Sequence, residues 1–190
     1  MIEIRIHGRG GQGVVVASEI LAIAFFKDGK ESQAFPHFGV ERSGAPIQSF
    51  VRVSEEKILT REHVYSPDIL IIQDDSLIGK ADVFFGLKES SKIFFNSKES
   101  VENIFLKIEK LKQLPVNFKK ENILTVDATK IALEVFGKNI VNTAMLGALA
   151  KFPGLLKIDS AISAIEEKFF DKGKDVVEKN ILVIKKVYNS

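Results

Sequence analysis

The stretch Ile2-Glu3-Ile4-Arg5-Ile6-His7-Gly8-Arg9-Gly10-Gly11-Gln12-Gly13 decides the fold. Isoleucines at 2, 4 and 6 alternate with Glu3 and Arg5, which is the period of a strand. Gly8, Gly10 and Gly13 follow at the G-x-G-x-x-G spacing, and an apolar helix, Val14 onward, comes next. In such a strand–turn–helix unit Gly8 is expected to make the tight exit, Gly10 to let backbone approach a ligand, and Gly13 to let helix and strand pack closely. Free N–H groups at the helix start attract an anion. Gly8, Arg9, Gly10, Gly11, Gln12 and Gly13 are therefore candidate anion-binding residues, the alternative being a plain strand-to-helix turn without a ligand.

Outward from this unit, the helical segment Gln12 to Lys27 is apolar nearly all round, so it must lie between the sheet and other helices or under a neighbouring subunit. Asp28-Gly29-Lys30 stops it, and Glu31 to Phe35 reads as a short second strand. A nicotinamide-binding fold carries an acidic residue at the far end of that strand, whereas this one ends in Phe35-Pro36. Phe35 to Pro46 is a loop with two prolines, two glycines and an adjacent acid and base, Glu41 and Arg42; Glu41, Arg42 and Gly44 join the candidates, and His37 reads as a polar loop group. Ile47 to Ser54 returns the chain to the sheet, which hangs the loop beside the glycine turn.

Asp68 to Gln73 suits a buried parallel strand, with Asp74 and Asp75 expected to cap a helix around Ser76 to Ala81. Lys92 to Asn96 and Ile123 to Asp127 are further strands, separated by an amphipathic helix through Val101, Ile104, Phe105, Ile108 and Leu111. Ala128 to Phe136 is helical, and three more helical patterns fill Val141 to Tyr188. The expected architecture is a three-layer α/β fold: a largely parallel sheet with a Rossmann-like start and a helical C-terminal extension. Residues 1–190 read as one domain, with 141–190 as a helical wing.

Composition narrows the chemistry. The 190 residues are 45% hydrophobic, enough for a sizeable core, and 27 basic against 25 acidic residues give a net charge of +2. That balance lacks the concentrated positive field of a nucleic-acid binder. With no cysteine, the chain offers neither a disulfide nor thiolates for an iron–sulfur cluster, and its three histidines are scattered. No metal-ligand cluster, cysteine nucleophile or G-x-S-x-G elbow is present, so catalytic residues are expected to be absent from this chain. A charged first strand argues against a secretory signal, and no apolar run reaches membrane-spanning length, so a cytoplasmic location is expected. What remains is a component that completes a site formed across subunits.

IRIHGRGGQGVVVAS at Ile4 to Ser18 and QAFPHFGVERSGAPIQSFVRV at Gln33 to Val53 carry a resemblance to the gamma subunits of 2-oxoacid:ferredoxin oxidoreductases, most closely the pyruvate type, or pyruvate synthase. Weaker similarity runs through Asn142-Thr143, Leu146-Gly147-Ala148 and Phe169 to Gly173 with Asn180, so it spans nearly the whole chain. ERSGAP at Glu41 to Pro46 looks pyruvate-like, while Ser43 departs from the larger or basic residue of many relatives. The resemblance implies CoA-dependent oxidative decarboxylation to an acyl-CoA and CO2 with electrons passing to ferredoxin. It implies alpha, beta and delta partner subunits that carry thiamine diphosphate, Mg and 4Fe-4S clusters, with coenzyme A and the 2-oxoacid at a shared site. Arg9 and Arg42 are then the anion-binding candidates. A 2-oxoisovalerate or indolepyruvate enzyme subunit, and a free-standing nucleotide-binding oxidoreductase, are the alternatives.

Overall fold

The computed structural model describes residues 1–37 and 44–190. In chain order these form β1 (Ile2–Arg9), α1 (Val14–Lys27), β2 (Glu31–His37), β3 (Pro46–Ser54), β4 (Ile69–Ile72), β5 (Lys92–Asn96), α2 (Val101–Lys110), β6 (Ile123–Val126), α3 (Ala128–Phe136), α4 (Asn142–Ala150), α5 (Ile158–Phe169) and α6 (Lys174–Tyr188). The strands make one sheet in the order β2-β3-β1-β4-β5-β6. β1, β4, β5 and β6 run parallel, and β3 is inserted antiparallel between β2 and β1. β2 pairs with β3 and not with β1, which a dinucleotide-binding fold would require.

Strand alternation sorts the residues into two cores. Ile4, Ile6, Val51, Val53, Ile69, Ile71 and Phe94 face the layer of α1, α3, α4, α5 and α6. Leu70, Ile72, Ile93 and Phe95 face the opposite way, against Ile104 and Ile108 of α2 and against Leu77, Val83, Phe84 and Phe118 from irregular segments. The apolar helix α1 is covered by its own chain: it packs on β2, β3, α4 and α5. The C-terminal extension folds back over the sheet, and α4 within it is buried along its whole length. Gly147 lets α6 approach α4, since a Cβ there would lie 2.6 Å from the Ile184 carbonyl oxygen.

Three local expectations change. The second strand runs on to His37, because its pairing with β3 continues to Gln48. The helix expected at Ser76 to Ala81 is only a 3-10 turn, Asp75–Leu77, although Asp74 does cap it by accepting from the Ser76 N–H. Arg5 and His7, which alternation places away from the isoleucines, are buried rather than solvated. Their face of the sheet is covered by irregular chain. The Arg5 Nη atoms donate to the carbonyls of Val64, Tyr65, Val83 and Phe85, supplying partners to backbone that has no ladder of its own. Beside it, Arg52 is 2% exposed, ion-paired to Glu3 at 2.9 Å and stacked over Phe35.

Burial pulls the Arg5 guanidinium down to about 10, with Asp82 pulling the other way, so it stays charged at neutral pH. Burial, reinforced by the Arg5 charge, pushes the His7 imidazole down to about 3. The unfolded chain, with an ordinary imidazole, takes up a proton that the folded chain refuses, so stability falls as pH drops from about 6.5 towards 3. His7→Gln should remove a slope of up to about 1.4 kcal/mol per pH unit across that window, read as the difference between wild-type and variant urea unfolding curves. Gly147→Ala should cost about 1–3 kcal/mol by forcing α6 off α4, and a lower midpoint in thermal unfolding checks it.

Candidate functional site

The glycine turn sits at the carboxyl edge of the sheet, where the order departs from β1 towards β3 on one side and β4 on the other. Gly8 is not at the strand exit, for β1 continues through Arg9. Its role is packing: a Cβ at Gly8 would lie 2.6 Å from Cγ2 of Val14 in the first turn of α1. Gly13 has φ +75°, which a side chain rarely adopts, and a Cβ there would strike Asn142 of α4. Gly10 spends its backbone on the chain itself. Its N–H donates to the Ala45 carbonyl at 2.9 Å, and the Gly44 N–H donates to the Gly10 carbonyl at 3.3 Å. The end of the loop is thereby laced to the turn, continuing the β1–β3 ladder beyond Arg9 and Pro46.

Arg9 is held by three residues from two segments. Nη1 donates to the Gly44 carbonyl at 2.9 Å, Nη2 to the Ser76 hydroxyl at 2.7 Å, and Nε lies 3.3 Å from the Asp74 carboxylate. Among the described residues both terminal nitrogens keep a further N–H without a partner, since each carries two. Gln12 braces the same corner: Oε1 accepts from the Arg9 N–H at 2.8 Å, and Nε2 donates to Asp74 at 2.8 Å. Among the described residues helix α1 has no side-chain cap and no acidic residue in its own first turn, so the positive end of its dipole faces this corner, where Asp74 is the one carboxylate held by Arg9 and Gln12. Gly11, at φ +94°, lies between these partners. The predicted residues Gly8 to Gly13 and Gly44 are thus gathered at one edge, while Glu41 and Arg42 lie outside the described residues.

Next to the turn, a cavity of about 240 Å³ opens along the carboxyl ends of β4, β5 and β6, lined by Gln12, Gln73, Asp74, Asn96, Asp127 and Thr129 among others. Asn96 fastens its floor, donating to the Gln73 carbonyl and to the Thr129 hydroxyl at 2.8 Å each. Gln73 is fully buried, and neither atom of its amide has a hydrogen-bond partner among the described residues. Sequence reading missed the part that Asp74 and Ser76 play here; the signal was the pair of acids at the exit of the fourth strand. It also missed that His37 and His63 meet, with ring nitrogens 3.1 Å apart.

Burial would raise the Asp74 carboxyl, but hydrogen bonds from the Ser76 hydroxyl, the Gln12 amide and the Ser76 N–H, together with the Arg9 charge, hold it below the usual carboxylate range. Its contribution to stability is therefore present above that range and lost as pH falls through the lowered value. Asp74→Asn should show the loss already at neutral pH and a shallower decline on acidification than the wild type, in urea unfolding measured from pH 7 to 3.

Known proteins match this chain along its whole length. The family model described as pyruvate ferredoxin/flavodoxin oxidoreductase covers residues 3–190. Pyruvate synthase subunit PorC of Methanothermobacter marburgensis is 50% identical over 171 residues, 89% of this chain and 87% of that protein. The pyruvate/ketoisovalerate oxidoreductases common subunit gamma of Pyrococcus furiosus is 45% identical over 188 residues, 99% of this chain and 96% of that one. The crystal structure of pyruvate oxidoreductase subunit PORC from Thermotoga maritima superimposes with a TM-score of 0.81 at 35% identity, covering 100% of this chain and 96% of the other. The chain belongs to the pyruvate ferredoxin/flavodoxin oxidoreductase family, as an oxidoreductase subunit of the PorC, or gamma, type.

Proposed function

We propose that this subunit supplies the anion-binding wall of a site shared with the other subunits of a pyruvate:ferredoxin oxidoreductase. The reaction is the oxidative decarboxylation of pyruvate or a related small 2-oxoacid with coenzyme A, giving acyl-CoA and CO2 and passing two electrons to ferredoxin. The observation that carries this reading is the corner at Arg9. A cation whose terminal nitrogens each keep an N–H without a partner among the described residues, the N-terminal end of α1 and the laced chain at Gly44 and Ala45 all meet at the carboxyl edge. In this reading Arg42, which lies outside the described residues, binds a coenzyme A phosphate or the 2-oxoacid carboxylate.

The redox machinery does not fit here. The sequence has no cysteine, and among the described residues no three of His, Cys, Asp and Glu are grouped as metal ligands. Thiamine diphosphate, Mg and 4Fe-4S clusters are assigned to the partner subunits, and the residues of this chain bind, orient and exclude water. No helix is long and apolar enough to cross a membrane among the described residues, and the cytoplasm is the proposed location. Relatives named as a common subunit of pyruvate and ketoisovalerate enzymes are 45–47% identical to this chain, alongside PorC subunits at 45–50%. That favours a second possibility for the substrate, in which the choice of 2-oxoacid rests with the partners. A free-standing nucleotide-binding enzyme is disfavoured by the antiparallel β3 between β2 and β1.

In the assembled complex, Arg9→Ala and Arg42→Ala should each raise KM for coenzyme A or the 2-oxoacid by about ten- to a hundredfold, the loss of one charge-assisted hydrogen bond, with smaller changes in kcat. Unchanged kinetics in a complex that still assembles would reject the binding role. Loss of assembly without a separate kinetic effect would make these residues interface contacts.

A further inference from the structure

The three imidazoles of the chain divide by environment. His7 is sealed inside β1, while His37 closes β2 and His63 lies on the crossover between β3 and β4. Folding brings the latter two together: Nδ1 of His37 stands 3.1 Å from Nε2 of His63, with ring centroids 4.4 Å apart and planes at 88°. Neither ring floats. His63 stacks on Phe50 at 5.2 Å, its carbonyl accepts from Arg52, and Phe50 lies against Phe35. His37 is fixed by strand pairing with Gln48. The conformational cost of gathering two imidazoles is therefore met by the fold itself.

At this spacing one ring nitrogen donates its N–H to the other; when the donor ring carries its proton on its far nitrogen instead, both facing nitrogens offer lone pairs that a cation can take. Two nitrogens bound tetrahedrally to zinc at about 2.0–2.1 Å stand roughly 3.4 Å from each other, a few tenths of an ångström beyond the distance seen here. We infer that His37 and His63 form a two-imidazole site for a divalent cation of the zinc, cobalt or nickel class, its remaining positions filled by water. Imidazole nitrogen selects that class over Mg and Ca, which take oxygen ligands. The guanidinium of Arg52, which donates to the His63 carbonyl, is offset by Glu3 at 2.9 Å. Among the described residues no third His, Cys, Asp or Glu completes a metal cluster, so binding is weaker than at a closed structural site. A bound cation would bridge the end of β2 to the crossover and so fix one root of the Phe38–Ser43 loop. This site is independent of the shared-pocket reading.

The test uses the full-length chain, titrated with Zn2+ in competition with a chromophoric chelator. The expected result is one ion per wild-type chain and at least about tenfold weaker binding in His37→Gln and in His63→Gln, since loss of even an outer-shell partner costs that much. Equal affinity in wild type and variants would overturn the site. A second measurement needs no variant: on saturation with Zn2+, the 15N resonances of His37 Nδ1 and His63 Nε2 should move while those of His7 stay. If both remain in place at saturation, the inference fails.

Discussion

The Arg5 guanidinium, buried beneath the sheet and donating to four backbone carbonyls, is the contact on which this half of the molecule rests. An α-helix covering a sheet satisfies its own backbone, whereas the segments around Val64 and Val83 are irregular and bring bare carbonyls into the interior. A guanidinium meets that need, because it presents several donors in one rigid plane. The charge is tolerable because hydrogen bonds replace its water, and removing the side chain would leave the Val64 and Val83 carbonyls buried without this donor and those of Tyr65 and Phe85 half-covered. Arg52 with Glu3 repeats the solution one strand away. The two arginines keep β1 and β3 covered without a helix and set His7 into surroundings too dry to protonate near neutral pH.

The corner at Arg9 follows from that arrangement. β1 must be straight and buried for its carboxyl end to deliver Arg9 between Gly44 and Asp74, and helix α1 must approach closely enough to need glycine at position 8. Gln12 then joins turn and fourth strand through two hydrogen bonds of one amide. A cluster of this kind is preorganised: its side chains are already in place before any ligand arrives, which lowers the entropy that binding must overcome.

Much of this was legible in the chain. Strand and helix periods gave the parallel half of the sheet, the helical pattern of Ala128 to Phe136 matched α3, and the motifs of the first 53 residues pointed to the family, whereas Asp127, read as the end of a strand, caps that helix. What escaped was whatever depended on distant partners. Alternation says that Arg5 and Glu3 oppose the isoleucines, and it cannot say that the opposite face is dry. The glycine spacing identified the turn but misassigned Gly8, because the strand's extra length is set by its pairing with β3. Likewise His37 and His63, separated by the whole of β3, met only through the order of the strands.

β2 and β3 pair antiparallel as consecutive strands, a hairpin held at one root by the pairing of His37 with Gln48 and at the other by the rungs at Gly44 and Ala45. A hairpin tip can be lengthened, shortened or rewritten without disturbing register elsewhere, and doubling a flexible loop costs only about 0.6 kcal/mol. Descendants of one ancestral scaffold can therefore diversify at this rim while inheriting an unaltered frame, much as interchangeable bits share one handle.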